Sequence, residues 1–460
     1  VYLHTKDSIS NMDFVLQAFA ADSSDTVSKD TSASAWKLQL DLVELQLKKI
    51  DLLIQDDDAA STTQAYIGTA ETTLSKVDLK NLYFEVDGFT LADSDIKLIQ
   101  RKKSVPSGKP DPAFGVLLKN ADITCTKLLF STTELSFNAN LVKTKLDQLQ
   151  LRSANDLLGI QAQGILIENS DLAYRDPEVA PTPGHLNAGD LDLNGLDANL
   201  PEFSFQNDTL TLRADALSGK DKSGIRLHSL KGNILVTPGS IELKNIIARL
   251  NQTSVNGDVL LLKNNQATFD RMQIELRQLR GIFGDLIILL PPQENPALTR
   301  IADMPYEVSG RLSGWLENLY TSNMRVRAGS GTVANFTGSV QRLTEPTKLG
   351  MSLNISQLST NHADLVRWMS VGETPMDSIL AQPLPAYLNA SGTLNGELAN
   401  LELDLQGDVG SLHTGSDFPA SEGLPLQFNV AGTLTNANDV DRLGMDLQIK
   451  QLDAPRNFFA

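Results

Sequence analysis

The sequence has a single cysteine, Cys125, so it can form neither an intrachain disulfide nor a thiolate metal cluster. Aromatic residues make up only 6%, with 3 Trp and 7 Tyr, too few for the two aromatic girdles of a membrane barrel. The longest apolar run, Leu286 to Leu290, falls far short of the ~20 residues that span a bilayer as a helix. Positive charge is also scarce. The 39 Lys+Arg stand against 56 Asp+Glu, for a net charge of -17, which argues against nucleic acid as a partner and against a polybasic membrane dock. The local run Arg101-Lys102-Lys103 reads as a solvated strand end or loop.

Catalytic signatures are missing too. His4, His185, His228, His362 and His413 are scattered, without the spacings that hold a metal. No nucleophile elbow, phosphate-binding loop or dinucleotide fingerprint occurs. Asp56-Asp57-Asp58 lacks the spaced ligands and fixed glycine of a calcium loop, and reads as a solvated turn. The sequence therefore predicts a protein that is not an enzyme, with no catalytic residues, no metal and no cofactor.

What the chain does have is alternation. Leu38-Leu40-Leu42, Leu210-Leu212-Ala214 and Met272-Ile274-Leu276 alternate with polar residues, as do many further segments. A period of two puts those side chains on one face of a sheet and Asp, Asn, Gln, Lys and Ser on the other. The spacing predicts about 25 to 30 strands of roughly 5 to 9 residues. Turns such as Asn256-Gly257-Asp258 and Pro238-Gly239-Ser240 favour antiparallel neighbours, since parallel strands need crossovers of a dozen or more residues. Helical spacing is confined to Asn11–Ala21, to Asn361–Met369 with Leu365, Trp368 and Met369 facing inward, and to Leu279–Leu290. Four segments follow: a short helix and acidic Ser/Thr-rich linker over 1–35, groove strands over 36–290, a Pro-rich break over 291–305, and groove strands over 306–460 with a helical insert near 361–385.

The fold class expected is all-β: an elongated, curled antiparallel sheet, or β-taco groove, with a few short amphipathic helices. The apolar faces are aliphatic, and the chain does not divide into the ~100-residue units of a sandwich. An empty apolar trough would be costly in water, whereas acyl chains would fill it at roughly 0.8 kcal/mol per buried CH₂. The candidate lipid-binding residues are Leu349, Met351, Leu353, Ile355, Leu401, Leu403, Leu405, Leu426, Phe428, Val430, Met445, Leu447 and Ile449. They would solvate hydrocarbon and do no chemistry.

An internal repeat carries a resemblance. Val308-Ser309-Gly310-Arg311-Leu312-Ser313-Gly314 is echoed by Ala390-Ser391-Gly392-Thr393-Leu394-Asn395-Gly396, and the Gly-x-Leu-x-Gly unit reads as a strand with small residues on its outer side. The segment Val308–Val340, and Asn11–Ala21 followed by an acidic linker and the strand from Trp36, resemble the TamB family of AsmA-like, repeating-β-groove envelope proteins. That resemblance implies a periplasmic bridge, anchored in the inner membrane by a segment absent from this chain and meeting membranes at both ends of the full-length protein. It implies phospholipid acyl chains as cargo and an Omp85-type outer-membrane barrel, TamA- or BamA-like, as partner. Two other readings stay open: a scaffold or chaperone for outer-membrane β-barrel assembly, and a multi-domain β-sandwich adhesin.

Overall fold

The computed structural model describes residues 2–6, 9–11, 44–58, 60–78, 82–101, 113–154, 157–264, 268–289, 296–342, 348–370, 384–413, 426–435 and 444–453. The chain is all-β apart from two short α-helices, Phe283–Leu289 and His362–Met369, and a 3-10 turn at Pro296–Ile301. It forms two compact units, Val1–Leu230 and Lys231–Ala460, with the division inside the strand Arg226–Thr237. The helix expected at Asn11–Ala21 lies outside the described residues.

The first unit is built from long strands. Phe114–Ser131, Ser136–Ala154, Leu157–Arg175 and Asp190–Gln206 run 17 to 19 residues and pair antiparallel in chain order. These lengths correct the expectation of short strands, and strand length ceases to argue against a membrane barrel. The cause is local. Asn120, Cys125 and Asn169 adopt positive φ in mid-strand, so irregularities that break the sequence pattern bend the strand without ending it.

The sheet of the first unit is mixed, not purely antiparallel. Tyr2–Lys6 runs parallel to Glu44–Asp56. Tyr83–Ala92 and Asp95–Gln100 both run parallel to Phe114–Ser131 while pairing antiparallel with Ser61–Asp78. The connection between Gln100 and Phe114 is long enough to carry the chain back to the same end of the sheet.

The second unit is an antiparallel ladder. Ser240–Leu250, Thr253–Lys263, Phe269–Ile282, Pro305–Trp315, Asn318–Ala328, Thr332–Gln341 and Gly350–Asn361 pair successively, followed by Tyr387–Glu397, Asn400–Val409, Leu426–Thr435 and Gly444–Asp453. Phe269–Ile282 and Pro305–Trp315 pair directly, so the ladder continues past the Pro-rich segment 291–305. Register shifts at Leu276/Leu279, Ser309/Arg311, Thr321/Met324, Asn335/Phe336 and Ile355/Leu358 put an irregularity in each of the five successive pairs from Phe269–Ile282 to Tyr387–Glu397. Bulges sharpen twist and bend a sheet.

The helices cap one end of this ladder. Asn361 is the N-cap of the second helix, its Oδ1 accepting from the Asp364 N–H at 2.9 Å. Its buried residues are His362 and Asp364, however, while the expected inward set of Leu365, Trp368 and Met369 is only half-buried. The first helix begins at Phe283, because Leu279–Ile282 completes a strand paired with Pro305–Val308. Ile301, Met304 and Ala328, with Phe283 and Trp368 against them, form a hydrophobic cluster between the two helices.

Candidate functional site: an apolar sheet face

Alternation along each strand becomes rows across each unit. In the first unit, Leu52 stands opposite Ala65, Ala65 opposite Ile96, and Ile96 opposite Leu128. The row goes on through Ala139, Leu172 and Leu193. In the second unit, Leu353 stands between Gly338 and Leu394, and Leu403 between Leu394 and Gly432. A neighbouring row runs Leu319, Val340, Met351, Gly396, Leu401 and Leu434. Matching parity and register carry the apolar face from strand to strand.

Apart from Leu319 and Leu401, which are buried, the large side chains of these rows are sheltered without being packed away. Met351, Leu353, Leu403, Leu405, Phe428 and Val430 are half-buried, while Ser352, Asn354, Glu402, Asp404 and Gln406 on the reverse face are exposed. A sheet curled toward its apolar side has this asymmetry. Only 19 hydrophobic residues are buried, and 9 of them are alanine, so among the described residues large aliphatics seldom enter a closed core. A sandwich would bury its large inner-face side chains between two sheets.

The predicted site residues behave unequally. Leu349, Met351, Leu353, Leu403, Leu405, Leu426, Phe428 and Val430 share the half-buried face, and Ile355 and Leu401 are buried on it. Ile449, opposite Val430, is 60% exposed. Met445 and Leu447 hold backbone positions opposite Leu434 and Gly432, and their side chains lie outside the described residues.

The Gly-x-Leu-x-Gly units sit differently from expectation. Gly392 pairs with Ile355 and Leu405, and Gly396 with Met351 and Leu401, so these glycines lie in the apolar rows and not on the outer side. The spacing of two demanded this, because positions i, i+2 and i+4 share one face. Gly392 has φ +145°, and a Cβ built there would collide with the Asp404 carbonyl oxygen. Backbone of that kind is essentially reserved for glycine.

The reverse face is a lattice of ion pairs. Lys119 reaches Glu85 at 2.6 Å and Asp87 at 3.0 Å, which holds Asp87 below the usual carboxylate range and pushes Lys119 up. A cavity of about 640 Å³ in the second unit is lined by Glu242, Lys244, Asp258, Glu275 and Arg311 and also by Leu243, Val259, Leu260, Ile274 and Leu312. Lys244 pairs with Glu242 at 2.6 Å and Arg311 with Glu275 at 3.1 Å, so these charges satisfy one another. His4 contacts Asp57 at 3.0 Å, and among the described residues no cluster of His, Cys, Asp and Glu could hold a metal ion.

Two aspartates that sequence reasoning missed fix the helical caps. Asp364 accepts from the N–H groups of Ser330, Gly331 and Thr332 at 2.7 to 3.0 Å, and from the Ser330 and Thr332 hydroxyls. Burial alone would raise its pKa, but these donors outweigh that and hold the carboxyl below its usual range. Asp285 grips the preceding hairpin in the same manner, accepting from Gln252 N–H and the Thr253 hydroxyl, each at 2.9 Å. The interval from Asp285 to Asp364, 79 residues, equals that from Thr253 to Thr332, and that interval was the available signal.

No known family model matches the chain, and neither does any curated protein or solved structure. Among the described residues no helix is long and apolar enough to cross a membrane.

Proposed function

We propose that this chain carries phospholipid by its acyl chains along the apolar face of its sheet, as a TamB-like component of a diderm envelope. The observation that supports this reading most is the run of mostly half-buried aliphatic rows from strand to strand in each unit. Hydrocarbon gains roughly 0.8 kcal/mol for each CH₂ moved from water to such a surface. The reverse face, polar and charged, keeps the protein in water. On this reading the chain works in the periplasm, with an Omp85-type barrel as partner and membranes at the ends of its route.

The test is lipid retention. Leu403 and Leu405 lie mid-row, and their substitution together by Glu puts two carboxylates where hydrocarbon would lie. Lipid co-purifying with the protein, measured by mass spectrometry, should fall at least severalfold while the thermal melt persists. Unchanged lipid in a folded variant counts decisively against the reading.

A further inference from the structure

Trp, Tyr and Phe are scarce in this chain, yet three exposed aromatic rings gather at one end of the second unit's ladder, away from the helical caps. Trp315 is 52% exposed, Tyr320 56% and Phe269 37%. Arg271 is paired with Trp315, Trp315 with Asn318, and Ser313 with Tyr320. Arg271, Trp315 and Tyr320 therefore lie on the polar face of successive strands, while the register shift at Leu262/Lys263 sets Phe269 opposite Lys263 on the other face. Two cations lie on them: Lys263 Nζ is 5.2 Å from the Phe269 centroid, and Arg271 Cζ is 5.2 Å from that of Trp315. Asn318 donates to the Tyr320 hydroxyl at 3.0 Å.

We propose that this rim docks onto the headgroup layer of a phospholipid bilayer. Amphipathic rings beside Lys and Arg suit the boundary between acyl chains and headgroups, where ring bodies meet hydrocarbon and cationic tips meet phosphate. A guanidinium or ammonium stacked on a ring keeps other N–H groups to donate to a phosphate oxygen. Phosphate is present in neutral and anionic phospholipids alike, so a chain of net charge -17 needs no anionic surface to dock here. Position supports the same conclusion. On the opposite face, the residues at this end are Met272, Gly314 and Leu319, part of an apolar row that runs on through Leu261 and Ile241. The inference rests on the lipid-carrying reading, since a lipid leaving a bilayer for that row would cross this rim.

Vesicle flotation of the whole chain tests it, with phosphatidylcholine vesicles made with and without phosphatidylglycerol. The unaltered protein should float with both. Trp315→Ser combined with Tyr320→Ser should weaken binding about tenfold or more, and Arg271→Glu severalfold, with melting temperatures held close to the parent. Flotation unaffected in these folded variants, or absent for the parent, overturns the dock. So does loss of flotation by the parent together with binding of poly-glutamate through Trp315 and Arg271, which would make an acidic protein segment the partner. Lipid retained by the same variants separates the two ideas. Retention with lost flotation supports the dock, whereas flotation through this rim by a protein that retains no lipid removes the groove reading and leaves the dock standing.

Discussion

At the scale of single residues, two positions bear more of the structure than their size suggests. Gly392 lies in an apolar row at φ +145°, and alanine there would meet the Asp404 carbonyl oxygen. Gly392→Ala should destabilise the second unit by about 2 kcal/mol, read as a lower denaturation midpoint with an unchanged slope. Asp364, 2% exposed, takes hydrogen bonds from the whole Ser330–Thr332 turn. Removing the carboxylate strands those donors, and Asp364→Ala should cost about 3 kcal/mol. The pH dependence has a definite sign. The folded pKa lies below the ordinary aspartate value of 3.8, so the stabilisation is complete above that value and is lost as pH falls through the lower folded one. The parent should therefore lose more melting temperature between about pH 5 and 2 than Asp364→Asn does. Equal losses would show that Asp364 does not couple stability to pH.

At the scale of elements, the alternation of Leu349, Met351, Leu353 and Ile355 was legible because period two survives in short windows. The face of Gly392 and Gly396 was legible too, and was misread by treating small residues as outward-facing. The parallel pairing of Tyr83–Ala92 with Phe114–Ser131 was not legible. It depends on a chain reversal through a connection whose composition resembles any other polar loop. Strand length was hidden for a related reason, since positive φ at Asn120 and Cys125 shifts the alternation and makes one 18-residue strand look like several. The helical caps were found from spacing, but their role was not, because Asp285 and Asp364 act on hairpins more than thirty residues upstream. Trp368 ties the second cap down, donating from Nε1 to the Thr332 hydroxyl at 3.2 Å and packing edge-on to Phe283 at 5.8 Å. Trp368→Ala should loosen that cap by about 2 kcal/mol, seen as faster hydrogen exchange at the Ser330, Gly331 and Thr332 amides. Exchange that stays slow there would place the grip in Asp364 alone.

At the scale of the whole molecule, the question is what occupies so much half-sheltered aliphatic surface. Soluble proteins rarely leave contiguous apolar area of this kind facing water. Both units carry such rows, so on the proposed lipid-carrying function cargo would contribute to stability throughout the chain, not at one pocket. A ligand that binds the folded state alone stabilises it by mass action, by about 2.7 kcal/mol at a hundredfold excess over its Kd. Lipid stripped with a mild detergent, later removed, should therefore lower the melting temperature and raise the fluorescence of an apolar-surface dye. Adding phosphatidylglycerol or phosphatidylethanolamine back should reverse both changes, because headgroup chemistry does not enter a contact made by Leu, Ile and Val. The Leu403→Glu, Leu405→Glu variant should respond more weakly than the parent to both stripping and addition. A protein whose rows were closed internally, as in a chain of sandwiches, would melt at the same temperature before and after stripping. That result would return these aliphatics to ordinary core and remove the reason for seeking a lipid.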